Sequence, residues 1–386
     1  MPDLRIAALI PAAGLSSRMK AFKPLIELGG QTLVERVVKL FEKAGIADIV
    51  TVVGHRCNDL IPVLEQTTSR WVFNPNYREG MFTSIQQGLR ALPKSCDAFF
   101  VLPVDTPLVR SLTVRQLMKA FGRRSALICY PQFQSKRGHP PIIDSRLIDA
   151  MLAYSGQGGM RAFLRKYATR ACTVPVADAY IRMDADTEAD FARQRKAFKR
   201  YTIPTLYECQ NLIAHYFNVS PAIEVHGRTV AWVARRLGAA LNVNGRSYDL
   251  DLLMAAGLLH DVCRGQPNHA RKAAEELRAA GFPEISEIVG EHMELNIEAD
   301  APINETALLY LSDKIVKGDR IITLADRKSF MLKKYAHDAS IQRRILTRLN
   351  TAQKIQSQIE DMVGSSLESI LGDVQSTDYT DLIGIC

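Results

Sequence analysis

A short segment near the N-terminus combines residue types that bind phosphate. The stretch PAAGLSSRMKAFKPL, residues 11–25, follows the apolar run LRIAALI and carries Arg18, Lys20 and Lys23 after a single glycine, Gly14. Oriented backbone amides and cationic side chains stabilise the same negative charge, so this loop could hold a triphosphate. It matches neither GxxxxGK[ST] nor GxGxxG. A strand-to-helix turn with solvated lysines has the same composition, and both interpretations stay open on these residues alone.

A carboxylate follows the apolar run AFFVLPV. This residue, Asp105, would be costly to keep ionised beside a buried strand unless it were paired, and a magnesium ion bridging nucleotide phosphates would be a suitable partner. The alternative is a turn or helix-capping aspartate before Thr106 and Pro107.

Histidines and carboxylates are concentrated in the second half of the chain. Four of the eight histidines lie between residues 226 and 292 and accompany two aspartates, the set being His226, His260, Asp261, His269, His292 and Asp313. Imidazoles combined with carboxylates suit a transition metal better than magnesium alone. Asp313 lies in the apolar run ALLYLSDKIV, where a lone buried carboxylate costs several kcal/mol, so a cation must offset it. Lys314 or a helix cap is the alternative partner.

Five ordered motifs in the first half resemble one family. After the opening loop come NPNYREGMFTSIQQGL (74–89), VLPVDTPLV (101–109), RGHPPII (137–143) and RMDADTEADF (182–191). Together they resemble the MobA-like nucleotidyltransferases, in particular the molybdenum cofactor cytidylyltransferases. The resemblance implies a nucleotide site at Ala12, Ala13, Gly14, Leu15, Arg18, Lys23, Asn74, Gly80 and Ser84.

The same resemblance implies roles for individual residues. Arg18 would neutralise the leaving pyrophosphate, Lys23 would neutralise the α-phosphate, and Asp105 with Asp186 would hold Mg²⁺. For Asp186 the alternative is a cap on the helix that begins near Thr187. The letters AAG at residues 12–14 favour CTP, since the guanylyltransferase branch usually has AGG.

Three positions fit the family less firmly. Ser84 could equally be a surface helix residue. His139 resembles a position near the acceptor, although a histidine in a turn is more often structural. Lys20 stands where the family usually has glycine.

Five segments of the second half resemble the HD-domain metallophosphohydrolases over about residues 206–330. They are EVHGRTVAWVARRLG, LLMAAGLLHDVCRG, PNHARKAAEELRAAG, IVGEHMEL and LYLSDKIVKGDR. The resemblance implies core ligands at His226, His260, Asp261 and Asp313, with His269 and His292 completing a second site and Asp261 as the bridge. One or two ions such as Mn, Fe, Co, Ni or Zn would support phosphoester hydrolysis. The ligands do not specify the substrate.

The sequence patterns also predict the helices and strands that position these residues. Short β-rich runs alternate with helical segments up to about residue 199, which predicts an α/β domain with a mostly parallel, Rossmann-like sheet. Thr32 and Glu35 have capping-box spacing, and Gly45 marks the end of that helix. Beyond residue 205 we expect an all-α HD-type bundle without strands, ending in one tail helix for packing or self-association.

Length and composition indicate the number of domains and the class of protein. A chain of 386 residues predicts two domains, here 1–200 and 205–386. Apolar residues at 47%, a dispersed net charge of +8 and seven cysteines without a CxxC pair favour a soluble, reduced, cytoplasmic protein that binds neither nucleic acid nor membrane. No secretory signal pattern is recognised.

The resulting expectation is a bifunctional enzyme. The first half would transfer CMP from CTP to molybdopterin, in the setting of molybdenum hydroxylase maturation, and the second half would hydrolyse a phosphoester. Two alternatives remain. One changes the acceptor to a sugar or alditol phosphate, or the base to guanine. The other is a cofactor-carrying chaperone for the hydroxylase apoenzyme with a silent helical half.

Overall fold

The computed structural model describes residues 4–19, 21–123, 125–295 and 302–372. The chain divides into two compact units, Met1–Tyr201 and Thr202–Cys386. Within the described residues, no helix is both long and apolar enough to cross a membrane. Lys20 and the last tail residues, 373–386, lie outside the described part.

The first unit alternates strands and helices. Its strands are β1 Ile6–Pro11, β2 Glu27–Leu28, β3 Gln31–Thr32, β4 Asp48–Val53, β5 Arg70–Phe73, β6 Ala98–Val101, β7 Ile128–Phe133, β8 Lys136–Arg137, β9 Ile142–Asp144 and β10 Ala171–Pro175. Its α-helices are α1 Leu33–Lys43, α2 Cys57–Leu64, α3 Met81–Ala91, α4 Ser111–Phe121, α5 Ile148–Ala153, α6 Gly159–Arg165 and α7 Glu188–Phe198. The predicted α/β fold class is confirmed.

One mixed sheet organises the first unit. Its order is β10-β7-β9-β6-β1-β4-β5, with β8 paired to β7. Strands β6, β1, β4 and β5 run parallel, as do β7 and β10, whereas β9 is antiparallel to both of its neighbours. Because β1 and β6 are adjacent and parallel, the loops that follow them leave the same edge of the sheet.

Helices cover both faces of this sheet. Successive residues of β1 point to opposite cores: Ala8 and Ile10 pack in one, Ala7 and Leu9 in the other. The helix predicted after Thr32 is confirmed, because the Thr32 side chain accepts from the Glu35 amide and the Glu35 carboxylate accepts from the Thr32 amide. Strands β9 and β10 were not predicted, because both are short and carry no turn signal of their own.

The second unit is a helical bundle. Its helices are α8 Leu206–Asn211, α9 Pro221–Val243, α10 Leu250–Leu259, α11 His269–Ala280, α12 Pro283–Glu291, α13 Glu305–Ile315, α14 Leu324–Lys334, α15 Ala339–Val363 and α16 Leu367–Leu371. A π-helical segment, Leu212–Phe217, follows α8. Two expectations are corrected. A two-residue hairpin, β11 Val316–Lys317 with β12 Arg320–Ile321, interrupts the helices, and the tail forms two helices separated by Gly364, whose φ is +71°.

Helices α9 and α10 cross closely. A Cβ placed on Gly257 of α10 would lie 2.3 Å from the Cα and 2.6 Å from the amide nitrogen of Ala231 on α9. Backbone atoms cannot move aside as a flexible side chain can, so only glycine fits at this crossing. The crossing holds His226 of α9 near His260, the residue that follows α10.

Candidate functional sites

The first site gathers charged residues that are distant in the chain. Lys23 Nζ lies 2.8 Å from Asp186 Oδ1 and 3.9 Å from Asp105 Oδ2, and Arg18 Nη1 lies 3.3 Å from Asp186 Oδ2. The structure thus brings together the two predicted magnesium ligands and the two predicted phosphate-binding cations. The alternative for Asp186 as a cap is not observed, since Thr187 caps α7 with Asp190.

A glutamine holds the two carboxylate segments together. The backbone carbonyl of Asp105 accepts hydrogen bonds from the Ala185 amide at 3.0 Å and from Gln194 Nε2 at 2.7 Å. Gln194 is fully buried on α7, and the same nitrogen donates to the Met183 carbonyl at 2.7 Å. Sequence reasoning missed Gln194, because nothing local distinguishes it from other polar residues of that helix.

The electrostatics of Asp105 favour a bound cation. Burial raises the pKa of Asp105 to about 6, and the neighbouring carboxylates of Asp184 and Asp186 add to that effect while Lys23 opposes it. Three carboxylates therefore face one buried lysine, and a divalent ion would relieve this excess of negative charge. Oxygen ligands of this type fit Mg²⁺.

The loop of residues 11–25 is shaped by Ser16 more than by Gly14. Ala12 donates from its amide to the Val52 carbonyl of β4, and the Ala13 carbonyl accepts from the His55 amide in the loop that follows β4. Gly14 faces open space, because an added Cβ would meet nothing within 4 Å. Ser16 has a φ of +53°, and its hydroxyl accepts from the Lys23 amide at 3.1 Å. This serine turns the chain and fixes Lys23, a role the sequence did not reveal.

The predicted base and ribose segment forms a separate hydrogen-bond group. Asn74 Nδ2 donates to Ser84 Oγ at 2.9 Å and to Thr83 Oγ1 at 3.0 Å, and Asn74 and Ser84 are both buried. Gly80 has a φ of +113° where the segment enters α3. Leu15 is exposed. Direct contact of these residues with a nucleotide stays a prediction.

The RGHP motif packs against the segment that carries Asp184. The His139 amide donates to the Ile181 carbonyl at 2.7 Å. A Cβ on Gly138 would lie 2.4 Å from that same carbonyl oxygen, so glycine is required for this approach. Burial lowers the pKa of His139.

The second site centres on Asp261. Asp261 Oδ2 lies 3.8 Å from His226 Nε2 and 3.6 Å from His260 Nε2. Its other oxygen, Oδ1, lies 3.2 Å from His269 Nε2 and 3.6 Å from His292 Nε2. One carboxylate therefore faces two histidine pairs, each able to hold an ion with it.

Asp313 faces the same centre from α13. Asp313 Oδ1 lies 3.2 Å from His226 Nε2 and 3.7 Å from His260 Nε2, while Oδ2 accepts from Lys314 Nζ at 2.7 Å. Lys314, which the sequence offered as the alternative to a bound cation, thus occupies one oxygen of Asp313, and the histidines face the other.

Two histidines present unpaired nitrogens to the centre. His260 Nδ1 donates to the Gly257 carbonyl at 2.8 Å, and His292 Nδ1 donates to the Val289 carbonyl at 2.7 Å. A carbonyl can only accept, so Nδ1 carries the proton and Nε2 keeps its lone pair. Both Nε2 atoms are buried without a hydrogen-bond partner. Buried, unpaired imidazole nitrogens beside a carboxylate fit a divalent transition metal.

Both carboxylates are ionised despite their burial. Burial raises the pKa of Asp261, but the imidazoles of His269 and His292, which face its Oδ1, outweigh that effect and bring the pKa below its usual range. Burial also raises the pKa of Asp313, but the Lys314 ammonium and the two facing imidazoles hold it well below its usual range. Ionised carboxylates are the form that binds metal.

Family models match both halves of the chain. Residues 8–171 match the MobA-like NTP transferase domain, and residues 224–331 match the HD domain. The chain joins a MobA-like NTP transferase domain to an HD domain. Both domain types are those that the motifs predicted.

Similar proteins differ in how much of their length aligns with this chain. The molybdenum cofactor cytidylyltransferase of Escherichia coli is 26% identical over 198 residues, which are 51% of this chain and 97% of that protein. The bifunctional IPC transferase and DIPP synthase of Rubrobacter xylanophilus is 33% identical over 140 residues. This chain spans 30% of the Rubrobacter protein's length, and the match covers 32% of this chain. A solved nucleotidyl transferase from Methanothermobacter is 22% identical, with a TM-score of 0.45, covering 51% of this chain and 98% of that one.

Proposed function

We propose that the first unit, as a functional domain of about residues 1–200, transfers CMP from CTP to the phosphate of molybdopterin and releases pyrophosphate. The observation that carries this proposal is the meeting of Lys23 with Asp186, 163 residues further along the chain, and with Asp105. The E. coli relative, aligned over 97% of its length, supports the choice of acceptor.

Each residue has a defined task in this transfer. An oxygen of the acceptor phosphate attacks the α-phosphorus, and the bond from that phosphorus to the β-phosphate oxygen breaks. Lys23 neutralises the α-phosphate, and Arg18 binds the departing pyrophosphate. Asp105 and Asp186 would hold Mg²⁺, which screens the charge of the phosphate oxygens when bound. Such a reaction depends on positioning and charge neutralisation more than on proton transfer.

A large cavity beside these residues suits an anionic acceptor. It has a volume of about 1770 Å³, part of it open to solvent, and its lining includes Thr106, Tyr130, Arg137, Arg161, Arg182 and Asp184. Thr106 and Asp184 flank the two metal-binding positions, so an acceptor phosphate in this cavity would lie next to the nucleotide.

The acceptor is tested by product analysis. The protein is incubated with CTP, Mg²⁺ and either molybdopterin or a panel of sugar and alditol phosphates, and products are identified by mass spectrometry. The proposal predicts a cytidylylated molybdopterin as the main product. Faster transfer to a sugar or alditol phosphate would replace molybdopterin as the acceptor, and no transfer to any acceptor would favour a carrier role.

We infer that the HD domain, within residues 205–386, hydrolyses a phosphoester. The observation that supports this is the position of Asp261 between two histidine pairs. One or two divalent ions such as Mn, Fe, Co, Ni or Zn would be held by these side chains and Asp313. When bound, such ions would supply Lewis acidity, which lowers the pKa of water toward neutrality. The protein side chains orient the ligands and keep them ionised.

Metal analysis and a phosphatase assay test the HD proposal together. Purified protein should contain transition metal and hydrolyse a generic ester such as bis-4-nitrophenyl phosphate, and Asp261→Ala should remove both properties. Protein without transition metal, together with unchanged hydrolysis by Asp261→Ala, would remove the hydrolase proposal.

A further inference from the structure

A second cavity opens beside Asp261 and Asp313 in the HD domain. Its volume is about 690 Å³, part of it open to solvent. One group of its lining residues is cationic, with Arg264, Lys314, Arg327 and Arg348. Another group is apolar, with Met331, Ile345 and Leu349. A cavity lined by both a cationic and an apolar group of residues suits a ligand that is anionic at one end and apolar at the other.

Two of these three apolar lining residues come from outside the matched HD region. Ile345, Arg348 and Leu349 belong to α15, whereas the HD match ends at residue 331. Ile345 and Leu349 are four residues apart, so they lie on the same face of the helix, and both are largely buried. The matched region therefore supplies the carboxylates and histidines, and α15 adds a surface that the family pattern does not determine.

The cations are fixed in position. Arg348 Nη2 lies 2.6 Å from Glu294 Oε1, and Arg344 Nη2 lies 2.8 Å from the same oxygen, which links α15 to the segment following His292. Lys314 Nζ donates to the His292 carbonyl at 3.1 Å and lies 4.5 Å from the centre of the Tyr310 ring. Arg264 Nη1 lies 2.5 Å from Asp261 Oδ2.

We propose that α15 makes this site selective for phosphate esters with an apolar, ring-sized group. The phosphate binds between Arg264, Lys314 and Arg348, and the apolar group packs against Met331, Ile345 and Leu349. This selectivity rests on the proposed hydrolase function, but it concerns binding and can be measured without turnover. Burial of one ring against aliphatic side chains accounts for tenfold or more in affinity.

Two phosphonates provide a matched test, because their carbon–phosphorus bond resists hydrolysis. Phenylphosphonate and methylphosphonate carry the same anion and differ only in the apolar group. Calorimetric titration of the full chain should give at least tenfold tighter binding for phenylphosphonate. Met331→Gln, which adds no charge, should reduce this preference to about twofold or less while leaving methylphosphonate affinity within threefold.

The arginine pair supplies the control. Arg348→Gln should weaken both phosphonates about tenfold, whereas Arg344→Gln should change neither by more than twofold, since Arg344 shares Glu294 but does not line the cavity. Melting temperatures of the variants confirm that each is folded. Met331 is only half-buried, so its replacement is the safer variant for the apolar wall than Leu349.

Three results would overturn the proposal. They are equal affinities of the wild-type chain for the two phosphonates, no binding of either phosphonate at concentrations of about 10 mM, or equal effects of Arg344→Gln and Arg348→Gln. Metal content and hydrolysis are measured on the same sample. Absence of metal and of hydrolysis, with the preference for phenylphosphonate intact, would refute only the hydrolase proposal. Metal and hydrolysis without that preference would refute only the selectivity.

Discussion

Lys23 Nζ lies 2.8 Å from Asp186 Oδ1, although 163 residues separate them in the chain. The contact joins the loop after β1 to the segment before α7, and Asp105 lies 3.9 Å from the same ammonium. Lys23 is largely buried, with 13% of its side chain exposed, whereas Arg18 is 74% exposed. The lysine therefore has few alternative conformations and the arginine has many.

This difference predicts unequal effects of the two cations on transfer. Lys23→Met should lower kcat/KM for nucleotide by about 10²- to 10³-fold, because a preorganised donor is lost from the reacting phosphate. Arg18→Gln should lower it by about tenfold, since an exposed charge is partly screened by solvent. Steady-state pyrophosphate release measures both. Activity of Lys23→Met within threefold of wild type would contradict the assignment.

Asp105 should be essential for activity but not for stability. Its pKa is raised to about 6, so the folded state binds this proton more tightly than the unfolded state, whose pKa is near 3.8. The stabilisation is present below about pH 4 and is lost as pH rises through 6. Asp105→Asn should therefore lower turnover by at least about 10²-fold, yet leave the melting temperature at pH 7 unchanged or higher.

Asp178 is the matched control for Asp105. It is fully buried, and its carboxylate accepts from the Arg110 and Tyr180 amides and from Thr113 Oγ1. Asp178→Asn disturbs an interaction network that the fold uses, so it should destabilise the domain by about 1 to 3 kcal/mol. Equal melting temperatures for the two variants would show that Asp105 is a structural residue as well.

Sharing of Asp261 between two histidine pairs predicts an unequal loss of metal. His269→Gln should remove about one equivalent, since His226, His260 and Asp313 remain for the other ion. Asp261→Asn should remove nearly all metal, because both groups use this carboxylate. Inductively coupled plasma mass spectrometry of the purified variants gives the count. Equal metal content in the two variants would contradict a bridging role.

The crossing of α9 and α10 predicts that Gly257→Ala disrupts the metal site. The added methyl group would overlap backbone atoms of Ala231 at 2.3 Å, so the helices must separate, at a cost of about 1 to 3 kcal/mol. That separation moves His226 away from His260. Gly290→Ala is the control, since its Cβ would meet Ala274 Cβ at 3.4 Å. Thermal unfolding and metal content should change in the first variant only.

Much of the fold could be predicted because its signals are local. The capping box at Thr32, the apolar runs of β1, β4 and β6, and the helical spacing of Val230, Val233 and Leu237 each depend on neighbouring residues. Strand β9 could not be predicted, since three residues give no periodicity. It pairs with the nearby β7 and also with β6, which is distant from it in sequence.

Site residues were also predicted where the signal is local and missed where it is not. The predicted ligands converge in space, with Asp261 at the centre of one site and Lys23 at the centre of the other. Gln194 was missed because its role depends on long-range contacts. Ser16 and Gly138 lie inside the quoted motifs, but the backbone angle of the one and the long-range contact of the other could not be read from those motifs. The wall from α15 was missed for a related reason, since its Ile345 and Leu349 have the pattern of ordinary core residues.

The measurement that tests the central claim most directly is pyrophosphate release from each of the four nucleoside triphosphates, with molybdopterin and Mg²⁺ present. CTP transfer to a phosphorylated acceptor predicts that kcat/KM for CTP exceeds that of the other three, and that Asp105→Asn abolishes the signal. Equal rates with all four nucleotides, or a preference for GTP, would contradict the assignment.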